Sequence, residues 1–122
     1  MNIALAYDLY STSQLLEDPR LDSPQGRIVL VLEYLLKQIN ALRARNPDGK
    51  KFKARNQALI ALYILTETLD HDQNQELCVN LSKIYDFIHI SITNYKDALE
   101  DLSVSEQIVS DLVDTWNEMA NA

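Results

Sequence analysis

An all-α fold, an antiparallel up-down-up-down four-helix bundle behind a short N-terminal helix or arm, is what this sequence predicts, and three observations carry that reading. Four long stretches repeat apolar residues at helical spacing. The breaks between them are short and polar, about four to eight residues each, which favours antiparallel neighbours. Only two glycines and three prolines occur in 122 residues. That length suits one domain, with residues 1–20 as the arm and 24–120 as the bundle.

Residues 2–20 carry Ile3, Leu5, Tyr7, Leu9, Tyr10, Leu15 and Leu16 without a sustained helical or strand period. The expectation is a short helix or extended arm that docks on the bundle through few contacts and is therefore displaceable. Ser23-Pro24 then starts the first long helix, since Ser caps free amides and Pro is preformed for the first helical position. This helix continues to about Arg45 with Ile28, Val31, Leu32, Leu35, Ile39 and Leu42 on its main stripe. Leu30, Tyr34 and Ala41 fall outside that stripe, so the helix is apolar almost all round.

The cluster Asn46-Pro47-Asp48-Gly49 ends the helix and reverses the chain. A second helix, about Lys51 to Leu69, points Ala58, Leu59, Leu62, Leu65 and Leu69 inward and turns Ile60 and Ile64 away. Asp72 with Gln75 resembles a capping box for the third helix, read from Leu77 to Leu99. Its broad stripe holds Leu77, Cys78, Leu81, Ile84, Tyr85, Ile88, Ile92, Tyr95 and Leu99, and this predicts the central element of the bundle. Val79 and Ile90 fall on its far side, with Phe87 off the edge of the stripe. A capping box at Ser103-Val-Ser-Glu106 opens the last helix, which is cleanly amphipathic, with Val104, Ile108, Val109, Leu112, Val113, Trp116, Met119 and Ala120 on one inward arc.

The net charge of −7 argues against a nucleic-acid partner. Basic residues gather around one turn at Arg43, Arg45, Lys50, Lys51, Lys53 and Arg55, which reads as a solvated tip. The single cysteine, Cys78, forms no internal disulfide and reads as a small buried hydrophobe in a reducing compartment. No stretch has the ~18 to 20 apolar residues of a membrane span. The start of the chain has no basic region ahead of its apolar residues and does not read as a signal peptide, so a cytoplasmic protein is expected.

Catalytic signals are weak. His71 beside Asp70 and Asp72 lacks a third ligand at helical spacing, so neither a metal nor another cofactor is expected. His89 as a phosphoacceptor is disfavoured by its neighbours Ile88 and Ile90. The pair Glu100-Asp101 reads as a solvated helix end rather than an acid/base pair. There is no phosphate loop or nucleophile elbow, and the chain does not read as an enzyme. What remains unexplained is the apolar surplus: Leu30, Tyr34, Ile60, Ile64, Val79, Phe87 and Ile90 need a cover that four-helix packing does not supply.

One resemblance bears on that surplus. The paired tyrosines Tyr7 and Tyr10 precede Ser23-Pro24 and an apolar helix. Leu69-Asp70 then leads into Glu76-Leu77-Cys78-Val-Asn80-Leu81, followed by Ile84-Tyr85-Asp86-Phe87-Ile88, with Trp116 near the end of the last helix. In this order and spacing the chain resembles the flagellar secretion chaperones of the FliS type. It departs from their pattern at Tyr34, where a glycine is usual, and at Asn74-Gln75, where a glycine pair is usual. The resemblance implies a cytoplasmic helical bundle that binds the C-terminal segment of flagellin and blocks its polymerisation without ATP. It makes Leu30, Tyr34, Ile60, Ile64, Val79, Phe87 and Ile90 a client surface, with Tyr7, Leu9 and Tyr10 as an N-terminal lid. A homodimer seam without a client is the alternative use of the same faces.

Overall fold

Ser23 and Pro24 begin the first helix as the sequence predicts. In the computed structural model of the chain, which describes residues 18–70 and 74–120, the Ser23 hydroxyl accepts the Gly26 N–H at 2.9 Å and Pro24 occupies the first turn. Four helices follow one another: α1 Pro24–Arg43, α2 Asp48–Glu67, α3 Gln75–Thr93 and α4 Leu99–Ala120. A 3-10 turn, Pro19–Asp22, precedes them.

Helix α1 packs broadly on α2 and α4, while α3 packs more narrowly on the same two helices and lies diagonally across from α1. Each helix therefore neighbours the one before and after it, and the last closes on the first, which is the up-down-up-down bundle the periodicity predicts. The core draws Leu32, Leu35, Ile39 and Leu42 from α1, Leu62 and Leu65 from α2, Ile88 and Ile92 from α3, and Leu102 and Val109 from α4. Each such side chain withdrawn from water contributes ~1.5 to 3 kcal/mol. On α2 the inward positions Ala54, Ala58 and Ala61 are small, so α1 and α2 can approach closely.

The central element is α1, not α3 as its broad stripe suggested. An apolar stripe reports how much surface a helix can bury but not how many partners surround it. Besides α2 and α4, α1 also meets the 3-10 turn. That turn lies so close to α1 that a Cβ placed on Gly26 would sit 2.1 Å from the Arg20 carbonyl oxygen. Arg20 ties the two pieces by donating to the Glu33 carboxylate at 2.6 Å and to Asp18 at 2.7 Å. These hydrogen bonds hold the Asp18 carboxyl below its ordinary range and raise the Arg20 guanidinium above its own.

Several boundaries differ from expectation. Helix α3 stops at Thr93 rather than Leu99; Tyr95 remains buried in the turn that follows, and Leu99, 63 % exposed, is the first residue of α4. Helix α4 thus begins four residues before Ser103, with Leu102 donating its N–H to the Ala98 carbonyl at 2.9 Å, so the Ser103-Glu106 capping box is absent. Glu106 instead reaches Arg43 on α1. At the start of α3 the cap is Asn74, whose side chain accepts the Leu77 N–H at 3.0 Å; Asp72 lies outside the described residues. Helix α2 starts on Asp48 with no side-chain cap, since Pro47 stands in that position.

Candidate docking surface

Between α2 and α3 lies an open cleft of about 320 Å³, lined by Leu59, Leu62, Tyr63, Thr66, Tyr85, Asp86 and His89. Leu59, Tyr63 and Thr66 sit three or four residues apart, so one side of α2 forms the wall. The Thr66 hydroxyl donates to the Leu62 carbonyl at 2.9 Å and is spent on its own helix. Tyr85 is buried, and burial, reinforced by nearby Cys78, pushes its phenol up to about 12, so the ring stays neutral. The cleft combines apolar walls with a polar rim and suits the reception of a side chain. Among the described residues no group of His, Cys, Asp and Glu is placed to hold a metal ion.

At about 100° per residue, Ile60 and Ile64 are rotated off the cleft side of α2 and onto its α1 side. Both are half-buried. Tyr34 of α1 is also half-buried, and it packs against the core from its own helix. These three belong to the α1–α2 flank.

Leu30 does not join them. It is only 5 % exposed, which removes it from any surface. The reason is its position one turn after Gly26, on the face of α1 against which the turn Pro19–Asp22 is laid.

On the opposite flank, Val79 and Ile90 project from the outer face of α3, 48 % and 58 % exposed. Phe87 is half-buried and packs on the core from the α4 side of α3, the side on which Ser91 meets Ser105 of α4. Seven predicted client residues therefore divide into one buried residue, three on the α1–α2 flank and three on α3. Tyr7, Leu9 and Tyr10 lie outside the described residues.

Sequence reasoning missed part of this α3 flank. Leu77, placed on the core stripe, is 46 % exposed, and Val104 and Met119, placed on the inward arc of α4, are 49 % and 54 % exposed. Leu77 and Met119 stand near the ends of antiparallel neighbours, where the stripe continues past the helices that would cover it. With Val79, Ile90 and Val104 they are exposed apolar side chains on α3 and α4. A stripe drawn to the ends of its helix could not distinguish these positions from the core.

No helix of the described residues is long and apolar enough to cross a membrane. No curated protein and no solved structure matches the chain. The sequence model of the family described as flagellar protein FliS matches residues 6–122. With nearly its whole length matched by that model and an all-helical four-helix bundle as its fold, the chain belongs to the FliS family of flagellar secretion chaperones.

Proposed function

We propose that the chain works in the cytoplasm, where it binds the C-terminal segment of flagellin on the outer apolar surface of the bundle, prevents premature polymerisation and keeps the client competent for export. Membership of the FliS family supports a flagellar export chaperone and flagellin as client. The observation that carries the finer reading is the exposure of Val79 and Ile90 on the outer face of α3, with Leu77, Val104 and Met119 also exposed on α3 and α4. A soluble bundle gains nothing from leaving these apolar side chains uncovered on two adjacent helices, and such a surface is suited to an amphipathic segment that folds as it docks.

Binding of this kind works by occupation. The client meets the ordering cost when it docks, its own assembly surface is covered, and no nucleotide is needed. Tyr34, Ile60 and Ile64 extend the surface to the other flank, so a client that wraps the bundle would reach both. Tyr7, Leu9 and Tyr10 act in this proposal as a lid over the client surface; removal of residues 1–18 then increases binding of an apolar dye and tightens client binding. Unchanged dye signal and affinity would count against the lid.

The deciding experiment is co-expression with a flagellin C-terminal segment followed by co-purification, in parallel with the double variant Ile60→Asp, Ile90→Asp. Wild type retains the segment and the variant loses it with unchanged helical content. A variant that still retains the segment moves the site elsewhere. Sizing over a range of dilutions tests the rival use of these faces, because an obligate dimer yields no stable monomer.

A further inference from the structure

The connection between α1 and α2 carries a charge of the wrong sign for the rest of the chain. Residues 43–55 hold six of the eleven cations and one acid, Asp48, whereas the remaining residues hold five cations against seventeen acids. Arg43 is engaged by Glu106 and Arg55 by the Asn56 side chain. Arg45, Lys50, Lys51 and Lys53 make no salt bridge among the described residues.

The placement of the three lysines gains nothing from the dipole of their own helix. Lys50, Lys51 and Lys53 stand in the first two turns of α2, where the helix dipole is already positive and cations are repelled. Between them Phe52 is 58 % exposed and takes no part in the core. An aromatic ring set among uncompensated cations is a recognition surface for a segment with the converse chemistry.

We propose that this tip docks an acidic peptide segment of a partner protein, with carboxylates facing Arg45, Lys50 and Lys53 and one apolar side chain seated on Phe52. The size of the patch favours a peptide over a polyanion. A nucleic acid or an anionic bilayer would extend beyond a few cations into the field of the remaining acidic surface, whereas a short segment ends with the patch. The site lies on the α1–α2 corner, away from the α3 strip, and stands whether or not that strip binds flagellin.

The test uses the full chain and a short fluorescein-labelled peptide that alternates Glu and Ser around one central Leu, with a Gln-for-Glu counterpart. Anisotropy should show the Glu peptide binding at least about tenfold more tightly than the Gln peptide, with the difference shrinking as salt is raised. The variant Arg45→Glu, Lys50→Glu, Lys53→Glu, which alters only exposed side chains, should lose that preference, and Phe52→Ala should weaken the Glu peptide about threefold or more. Equal affinity of wild type for the two peptides overturns the proposal without recourse to any variant. So does tighter binding of a single-stranded oligonucleotide or of phosphatidylserine vesicles, or salt-sensitive self-association that the charge reversal abolishes, which would make a second copy the occupant.

Discussion

Ser91 of α3 and Ser105 of α4 face each other across the helix contact with their hydroxyl oxygens 2.7 Å apart, and both side chains are shut off from water. Ser91 donates its only hydroxyl proton to the Ile88 carbonyl at 2.8 Å, so Ser105 is the donor between the two serines. The chain of donors is therefore fixed, and it ties α3 to α4 in the orientation that leaves Ile90 on the outer face.

Ser91→Ala leaves the buried Ser105 hydroxyl without its acceptor, and the expected loss of stability is ~1 to 3 kcal/mol by chemical denaturation. Ser105→Ala should cost less, because Ser91 keeps its bond to Ile88. The double variant should lose less than the sum of the two, since neither hydroxyl is then stranded. Strict additivity would show that the pair is not coupled.

Gly26 offers a sharper test, because helix propensity and packing predict opposite signs. Alanine is better than glycine inside a helix by ~1 kcal/mol. Yet the added Cβ would lie 2.1 Å from the Arg20 carbonyl oxygen and 2.7 Å from the Arg20 Cα, both rigid backbone atoms. Overpacking of this kind costs ~1 to 3 kcal/mol, so Gly26→Ala should lower the unfolding midpoint and loosen the turn Pro19–Asp22 to proteolysis. A gain in stability would mean that the turn shifts aside at little cost.

Tyr85 gives the bundle an alkaline limit. Its phenol rises from the ordinary 10.0 to about 12 because burial disfavours the anion. A raised folded-state value means that above pH 10 the unfolded chain loses the proton first, so stability is intact below that pH and falls as pH rises toward 12. The slope contributed by one such group is at most ~1.4 kcal/mol per pH unit. Denaturation curves between pH 8 and the alkaline limit set by the 10.0 to 12 window should therefore show a decline that Tyr85→Phe reduces. An equal decline in both proteins would remove Tyr85 as its source.

Much of this architecture was legible in the residue pattern. Ser23-Pro24 and Asn46-Pro47-Asp48-Gly49 act locally, through one cap and one reversal, so they could be read without knowing the partners of each helix. The start of α4 could not: Ser-x-x-Glu caps a helix only if the chain before it is not already helical, and at Ser103 it is. The spacing of Val79 and Ile90 placed them outside correctly because, among the described residues, α3 packs on α2 and α4 through its other faces. The same argument failed for Leu30, because the cover over α1 comes from a 3-10 turn whose position no periodicity encodes.

Leu30 and Ile90 together test the corrected surface. Both lie off the main stripes of their helices, yet Leu30 is 5 % exposed and Ile90 is 58 % exposed. Leu30→Asp would bury an unpaired carboxylate and should destabilise the bundle by several kcal/mol, or ~3 or more, with client binding lost only because the fold is lost. Ile90→Asp places the charge in water and should change stability by no more than ~0.5 kcal/mol. If α3 carries the client, that same variant weakens the flagellin C-terminal segment by about tenfold or more, as expected for a central apolar anchor. Denaturation midpoints and titrations on the two variants separate the effects. Should Ile90→Asp bind the segment as wild type does, the outer face of α3 is not the docking surface, whatever the stability of Leu30→Asp.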